Sequence, residues 1–163
     1  MKREIKFRVW DAENKRFYVP SAFISQWPVI EMNGLLGMCG EFNEYQYGSD
    51  INQSFYVIQQ YTGYKDKNGK EIYEGDVAKI LSAFRSDENG GQIFNFGRVE
   101  FYEYEDAESY SDFVHCGWVL KGKDSFNPRY AGATLHDFTI TIPDCHKAIE
   151  IVGNIFENPE LLV

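Results

Sequence analysis

The sequence predicts an all-β fold built mostly from antiparallel sheets. Short runs of apolar residues alternate with polar ones at the two-residue period of half-buried strands, and Gly, Asn and Pro residues separate these runs. No long amphipathic helical pattern is visible. The chain is expected to form a single β-rich domain, 1–163, which divides into an N-terminal lobe over 1–60 and a barrel-like lobe over 61–163.

The N-terminal third contains one clear hairpin and a weaker region. Apolar and charged residues alternate over 5–10, and turn formers separate this strand from a second one over 15–19, so the two are expected to pair. The segment 27–32 is a weaker strand candidate. The three glycines of 33–40 predict a loop.

The central part combines an aromatic strand with tight turns. A β-branched and aromatic run covers 54–61, and an Asn-Gly pair then predicts a hairpin turn over 66–69. Gly69 and Gly75 are expected at positive φ, where other residues are strained. Asp76 is expected to accept backbone hydrogen bonds in the turn that precedes the next strand.

The remaining strands are predicted from β-branched and aromatic runs at 77–81, 93–101, 113–121, 138–142 and 148–155. At the C-terminus, Asn158 suits a helix N-cap and Pro159 the first helical position, which predicts a short helical turn. A glycine-aspartate turn that enters a strand and is followed by two more strands is typical of SH3-like, partly open barrels.

Charge and cysteine content disfavour several classes of protein. The formal net charge is −9 with a pI near 4.8, so the net field would repel a phosphate backbone, and a classical DNA-binding domain is not expected. The cysteines Cys39, Cys116 and Cys145 are widely spaced, which predicts reduced thiols in the cytosol. Neither a signal peptide nor a membrane span is indicated, so a soluble, cytoplasmic protein is expected.

Three segments carry a resemblance to a known family. They are KFRVWD at 6–11, QYTGYKDKNGKEIYEGD at 60–76 and EIVGNIFENPELL at 150–162. Together they resemble the YopX family of bacteriophage and prophage proteins. The resemblance implies a small phage-encoded β-rich protein of unassigned function, and it brings no catalytic residues. The signature residues that it marks as structural are Trp10, Tyr61, Thr62, Gly63, Asp66, Gly69, Tyr73, Glu74, Gly75, Asp76, Gly153, Asn154, Asn158 and Pro159.

An acidic aromatic stretch is the main functional candidate. Residues 100–112 contain six acids, four aromatic residues and no base, and residues 82–163 hold 6 Lys/Arg against 14 Asp/Glu. Such a surface can bind a basic protein partner, because aromatic anchors provide contact area and carboxylates steer association. A solvated strand face is the alternative. The candidate partner-binding residues are Glu100, Tyr102, Glu103, Tyr104, Glu105, Asp106 and Glu108.

The first hairpin suggests a second function. A basic cluster interleaved with aromatic residues could bind single-stranded nucleic acid by stacking. The same cluster could instead meet the acidic stretch of a neighbouring copy and form a head-to-tail homo-oligomer. Its basic residues are Lys2, Arg3, Lys6, Arg8, Lys15 and Arg16, and its aromatic residues are Trp10, Phe17 and Tyr18.

Two His-Cys pairs, His115-Cys116 and Cys145-His146, are the remaining chemical candidates. Neighbouring residues on a strand point to opposite faces, so each pair can offer one ligand to a shared zinc site, and no metal or cofactor is expected. The pairs could also supply a nucleophile and a base, with Asp144 as orienter. No recognisable enzyme motif accompanies them, so an unrecognised hydrolase ranks below both binding functions.

Overall fold

The computed structural model describes residues 4–18, 26–40, 44–86, 92–105, 114–124 and 136–162. The chain divides into two compact units, which we call the N-terminal unit, Ile5–Gln60, and the C-terminal unit, which comprises the residues from Tyr61 onward together with Glu4. Each unit has its own buried core. No helix in these ranges is long and apolar enough to span a membrane.

The N-terminal unit begins with the predicted hairpin. Strand β1, Phe7–Asp11, pairs antiparallel with β2, Arg16–Phe17. On its other side β1 pairs with the first half of β6, Tyr56–Lys65, with Phe7 opposite Gln60. Asp11 closes the hairpin turn, because its carboxylate accepts hydrogen bonds from the backbone and the side chain of Asn14 at 2.9 and 2.8 Å.

A three-stranded antiparallel sheet completes this unit. It contains β3, Gln26–Ile30, β4, Leu36–Gly40, and β5, Tyr45–Gln46, in that order across the sheet. One face packs into the core, where Leu36 and Met38 of β4 lie against Val9 of β1. Two single-turn 3-10 helices, at Gly48–Asp50 and Gln53–Phe55, lead from β5 to β6.

The loop predicted over 33–40 is wrong. Residues 36–40 form β4, the central strand of the sheet, and the turn that precedes it contains Gly34 at φ +85°. Glycines weaken strands in general, which is why this segment resembled a loop. At position 37 a glycine is needed within the strand, because the Tyr45 side chain lies against it and a Cβ there would be 2.2 Å from the Tyr45 hydroxyl.

The C-terminal unit contains a five-stranded antiparallel sheet of half-barrel form. Its strands are β8, Asp76–Ser86, β9, Gln92–Glu105, β10, Val114–Asp124, β11, His136–Thr141, and β12, Glu150–Asn154. Their order across the sheet is β11, β10, β9, β8, β12. The second half of β6 pairs with β7, Glu71–Tyr73, and a four-residue helix α1, Ile142–Cys145, follows β11.

One face of this sheet forms the core of the C-terminal unit. Alternate residues of neighbouring strands meet there, such as Ala78, Val99 and Leu120, each with no exposed surface. Ile72 from β7 and Ile142 from α1 belong to the same cluster. The arrangement explains the two-residue period of the sequence, since one side of each strand is buried.

Asp66 joins the predicted hairpin turn to β12. Its carboxylate is 6% exposed and accepts backbone N–H groups from Asn68, Lys70 and Ile151 at 2.9, 2.9 and 3.0 Å. The turn itself is confirmed, with Gly69 at φ +83° donating to the Asp66 carbonyl at 2.9 Å. A buried carboxylate with three backbone donors fixes both the turn and the strand beside it.

A second carboxylate orders the turn before β8. Asp76 is 1% exposed, and it accepts the backbone N–H of Tyr73 at 2.8 Å and the side-chain amide of Asn154 at 3.4 Å. Gly75 has φ +74°, as predicted. Its carbonyl accepts the Ile155 N–H at 2.9 Å, which ties the turn to the end of β12.

The all-β class, the antiparallel sheets and the C-terminal turn are confirmed. The last is a 3-10 helix, Pro159–Leu162, that begins at the predicted proline. Several strands are longer than predicted: β6 continues to Lys65, β9 to Glu105 and β10 to Asp124.

Replacing Asp66 by Asn should lower the free energy of unfolding by about 2–3 kcal/mol. The side-chain amide nitrogen of Asn is a donor, so at least one buried backbone N–H that Asp66 accepts would lose its acceptor. Urea denaturation of D66N beside the unmodified protein measures this loss. The exposed Asp50→Asn change is the matched control and should stay within about 0.5 kcal/mol. Equal midpoints for D66N and the unmodified chain would contradict the role given to this carboxylate.

Candidate functional site

The predicted acidic aromatic stretch begins inside β9. Glu100 and Tyr102 lie in the body of the strand, opposite Val119 and Gly117 of β10. The backbone of Glu103, Tyr104 and Glu105 completes β9, whereas Asp106 and Glu108 lie outside the described residues. The structure therefore places part of the predicted surface on a long, regular hairpin.

Glu100 is engaged within the sheet. It forms an ion pair with Arg98, two residues earlier on β9, and its other oxygen lies 3.6 Å from Lys121 of β10. The Lys121 ammonium also lies 4.2 Å from the ring centroid of Tyr102. Glu100, the first acid of the stretch, is therefore paired with two cations, Arg98 and Lys121, that lie outside residues 100–112. The net charge around Glu100 is therefore less negative than the composition of residues 100–112 indicates.

Two aromatic side chains of β9 are accessible. Tyr102 is 37% exposed. Phe101 is 55% exposed, although its ring packs edge-on against Trp118 with the ring centroids 5.2 Å apart. Whether these rings and the following acids bind a partner stays a prediction.

The aromatic residues of the basic hairpin pack within the N-terminal unit. Trp10 is 5% exposed and contacts Phe17 edge-on at 5.0 Å. Arg8 lies over the same Phe17 ring at 4.5 Å and donates to Gln59. Burial raises the pKa of Tyr18 to about 12, beside Tyr56. The Trp10 ring is therefore buried and presents little surface for stacking on a nucleobase, and nucleic-acid binding by this hairpin stays a prediction.

The pair Cys145-His146 has an unreactive thiol. Burial raises the pKa of Cys145 to about 11, so the thiol is protonated at neutral pH, whereas a nucleophile needs the thiolate. The His146 ring packs against Tyr64 at 4.9 Å, and its Nδ1 lies 3.0 Å from the Pro143 carbonyl. Within the described ranges, no three His, Cys, Asp or Glu residues are grouped to hold a metal ion. The side chains of His115 and Cys116 lie outside the description.

An exposed aromatic face on the three-stranded sheet was not predicted. Register places Trp27, Cys39 and Tyr45 in one row across β3, β4 and β5, with Val29 opposite Gly37 in the next row. We call this side the aromatic face and include Tyr47, which follows β5. Exposed fractions are 45% for Trp27, 38% for Tyr45, 63% for Tyr47 and 36% for Val29.

The ring of Tyr45 is held in place by three neighbours. It lies over Gly37, which is buried beneath it and leaves no room for a Cβ. The Tyr45 hydroxyl donates to Glu31 at 3.0 Å, and the Tyr47 ring packs edge-on at 5.0 Å and 84°. Covering a strand glycine with an aromatic ring restores packing that the glycine lacks. The two tyrosines thus form a corner of fixed geometry.

Glu31 anchors this corner to the chain beyond β5. Its carboxylate accepts the Gly48 N–H at 2.6 Å, the Asn33 side chain at 3.0 Å and the Tyr45 hydroxyl. The Gly48 hydrogen bond is the main reason that the pKa of Glu31 lies below its usual value. The carboxylate is therefore charged at neutral pH and its oxygens are occupied by internal donors.

The strands of the aromatic face carry no charged side chain, although the Glu31 carboxylate lies at its corner beside Tyr45. The strands β3, β4 and β5 contain no acidic or basic residue. Of the eleven large apolar residues that are exposed in the described part of the chain, four lie on the aromatic face. Concentrated exposed apolar surface marks interaction sites, since scattered single residues are the norm elsewhere.

The sequence held a partial signal for this face. Trp27 and Val29 alternate with Pro28 and Ile30, but both sets are apolar, so the pattern does not distinguish the exposed side. Glycine at position 37 is typical of a loop, and the sequence pattern predicts one there. Its purpose is visible only with Tyr45, eight residues later, lying across it.

Comparison with known proteins identifies the family. A family model described as YopX protein matches residues 6–163. The chain belongs to the YopX family. The solved structure of protein EF1440 from Enterococcus faecalis is similar in fold, with a TM-score of 0.54 and 20% identity over 99% of this chain and 100% of that one. No curated protein matches the chain.

Most YopX signature residues of the central block lie at turns or in buried pairs. Tyr61 and Tyr73 are opposite each other on β6 and β7, with ring centroids 5.4 Å apart. The buried Thr62 hydroxyl donates to the Ile72 carbonyl at 2.9 Å. Gly63 has φ +92° where the register of β6 and β7 shifts, as expected of a bulge glycine.

The C-terminal signature residues pack on one another. A Cβ at Gly153 would lie 2.3 Å from the Asn158 side chain, so a larger residue would displace it. Asn154 is 1% exposed and accepts the Phe156 N–H at 3.2 Å. Glu74 is half-buried beside Gly75. These contacts agree with structural rather than catalytic roles.

The protected state of Cys145 can be measured. Brief alkylation of the folded protein at pH 8 should modify the half-buried Cys39 well before Cys145, because Cys145 is buried and its pKa is raised to about 11. Mass spectrometry of peptides locates the modified residues, and unfolding in urea before alkylation is the control that exposes every thiol. Fast labelling of Cys145 in the folded chain would reopen the nucleophile hypothesis.

Proposed function

We propose that this YopX protein is a binding module of a bacteriophage or prophage, and that it contacts a protein partner through the aromatic face. The observation that carries the proposal is the fixed corner of Tyr45 and Tyr47 beside the exposed Trp27 on an uncharged sheet. Catalysis is not part of the proposal.

Aromatic side chains of this kind suit a protein interface. Trp and Tyr bury large areas at low entropic cost because few torsions must be fixed, and they dominate the binding energy of many complexes. The contacts of Tyr45 with Gly37 and Glu31 fix its ring before any partner arrives. Less entropy is then lost on association, which favours affinity.

The acidic end of β9 is a second candidate surface. Its support is the exposure of Phe101 and Tyr102 next to the acids at 103, 105, 106 and 108. Those acids would steer a basic partner over a distance of about 10 Å at 0.1 M salt. The engagement of Glu100 by Arg98 and Lys121 reduces the support for this surface.

The alternatives from the sequence have less support. A nucleic-acid module based on the first hairpin would need accessible rings, and Trp10 is buried. A hydrolase based on Cys145 would need a thiolate, and burial raises the pKa of that thiol. Head-to-tail self-association through the hairpin and the acidic stretch stays a prediction.

Affinity capture from a bacterial host lysate, with four forms of the protein as bait, tests the proposal. Trp27→Ala and Tyr47→Ala should each lower the yield of a specific partner at least tenfold, because they remove exposed anchors without opening the core. Phe55→Ala is the matched control, since Phe55 is 42% exposed in the same unit but lies outside the aromatic face. Full recovery with Trp27→Ala would contradict the proposal.

The same experiment separates the two surfaces. Replacing Glu103, Glu105 and Glu108 with Gln should leave the yield unchanged if the aromatic face is the contact. A loss that is steepest at low salt would instead assign binding to the acidic end of β9, because steering fields are screened as salt rises.

A further inference from the structure

One face of the C-terminal sheet carries clustered cations beside aromatic rings. We propose that this face binds single-stranded nucleic acid, independently of the protein partner proposed for the aromatic face. The four cations are Lys67, Lys79, Arg98 and Lys121, and we call the surface that they form the cationic face. Strand register, charge and the neighbouring rings each support the proposal.

Strand register brings the cations to one side of the sheet. Arg98 of β9 is opposite Lys121 of β10, and the residue two positions earlier on β9 is opposite Lys79 of β8. Residues that are paired across antiparallel strands share a face, and so do alternate residues along one strand. Lys67 approaches from the turn before β7 and meets Lys79 at a shared acid, Glu150 of β12.

Each pair of cations shares one acid. Glu100 is 16% exposed, whereas its partners Arg98 and Lys121 are 48% and 34% exposed, so the cations are the more accessible groups of this cluster. In the other cluster, Glu150 contacts its two lysines at 2.7 and 3.3 Å. Two cations and one acid leave each cluster with one positive charge. The shared acid also limits the motion of the cations before a ligand binds, which favours affinity.

An aromatic ring adjoins each cluster. The Lys121 ammonium lies 4.2 Å from the ring centroid of Tyr102, and the Lys79 ammonium lies 5.3 Å from that of Phe94. Tyr102 is 37% exposed and can therefore accept a stacked base. Cations that bind phosphates next to rings that stack on bases are typical of single-strand binding surfaces. A duplex hides its bases and an acidic peptide has none, so those ligands would use the cations alone.

The net charge of the chain limits the affinity of this face. A charge of −9 repels phosphates at long range, but salt screens that field over a distance of about 10 Å at 0.1 M. Contacts with about four phosphates of a single strand correspond to a slope near −3 for the logarithm of the binding constant against that of salt concentration. We therefore expect weak binding at low salt that decreases steeply as salt rises.

Fluorescence anisotropy with a labelled oligothymidylate of about 12 nucleotides, a usual site size, tests the proposal on the full chain. At low salt, Lys121→Gln should weaken binding roughly fivefold and reduce the salt slope by about 1, because one phosphate contact is lost. Lys147→Gln is the matched control, since Lys147 is exposed in the same unit but outside the cationic face, and it should leave binding unchanged. Tyr102→Leu should weaken binding of the single strand about tenfold through loss of stacking.

A variant that gains affinity separates this effect from misfolding. Glu100→Gln removes the acid that competes with phosphate for Arg98 and Lys121, so it should strengthen binding about threefold. Glu157→Gln changes the net charge equally at an exposed position elsewhere in the unit and should have little effect. The proposal is overturned if the oligonucleotide does not bind, if a duplex or polyglutamate probe binds as tightly, or if either variant behaves like its matched control.

Discussion

Acidic side chains that accept backbone N–H groups hold the turns of this all-β chain. Asp66 accepts three such groups and joins its hairpin turn to β12. Asp76 accepts the Tyr73 N–H before β8, Asp11 closes the first hairpin, and Glu31 ties the β3 end to Gly48. Loops in a β protein leave many backbone donors without a ladder partner, so these carboxylates satisfy groups that would otherwise lower stability.

Because these carboxylates are engaged in contacts within the protein, the net charge alone does not indicate an acidic interaction surface. A charge of −9 indicates an acidic interaction surface only if the carboxylates are available. Glu100 pairs with Arg98 and Lys121, and Glu150 lies 2.7 Å from Lys67 and 3.3 Å from Lys79. The aromatic face lies instead on strands that carry no charged side chain. It depends on Gly37, which lets the Tyr45 ring lie against the sheet.

Local signals predicted much of the fold. The Asn-Gly turn, the alternation of β1 and the proline that begins the last 3-10 helix depend on neighbours within a few residues. The strand β4 could not be predicted from its own residues, because the need for glycine at position 37 arises from the ring of Tyr45, which lies on another strand. The setting of Glu100 was equally hidden, because Lys121 reaches it from β10. Contacts between strands distant in sequence leave no pattern in the residues themselves, so the aromatic face required the structure.

The claim that the aromatic face is the contact surface is tested most directly by hydrogen exchange with the captured partner bound. Backbone amides of Gln26–Ile30, Leu36–Gly40 and Tyr45–Gln46 should exchange more slowly in the complex than in the free protein, because the partner covers the sheet there. Amides of β9 should be unchanged. Protection confined to Gln92–Glu105, with the three-stranded sheet unaffected, would contradict the account and assign binding to the acidic strand.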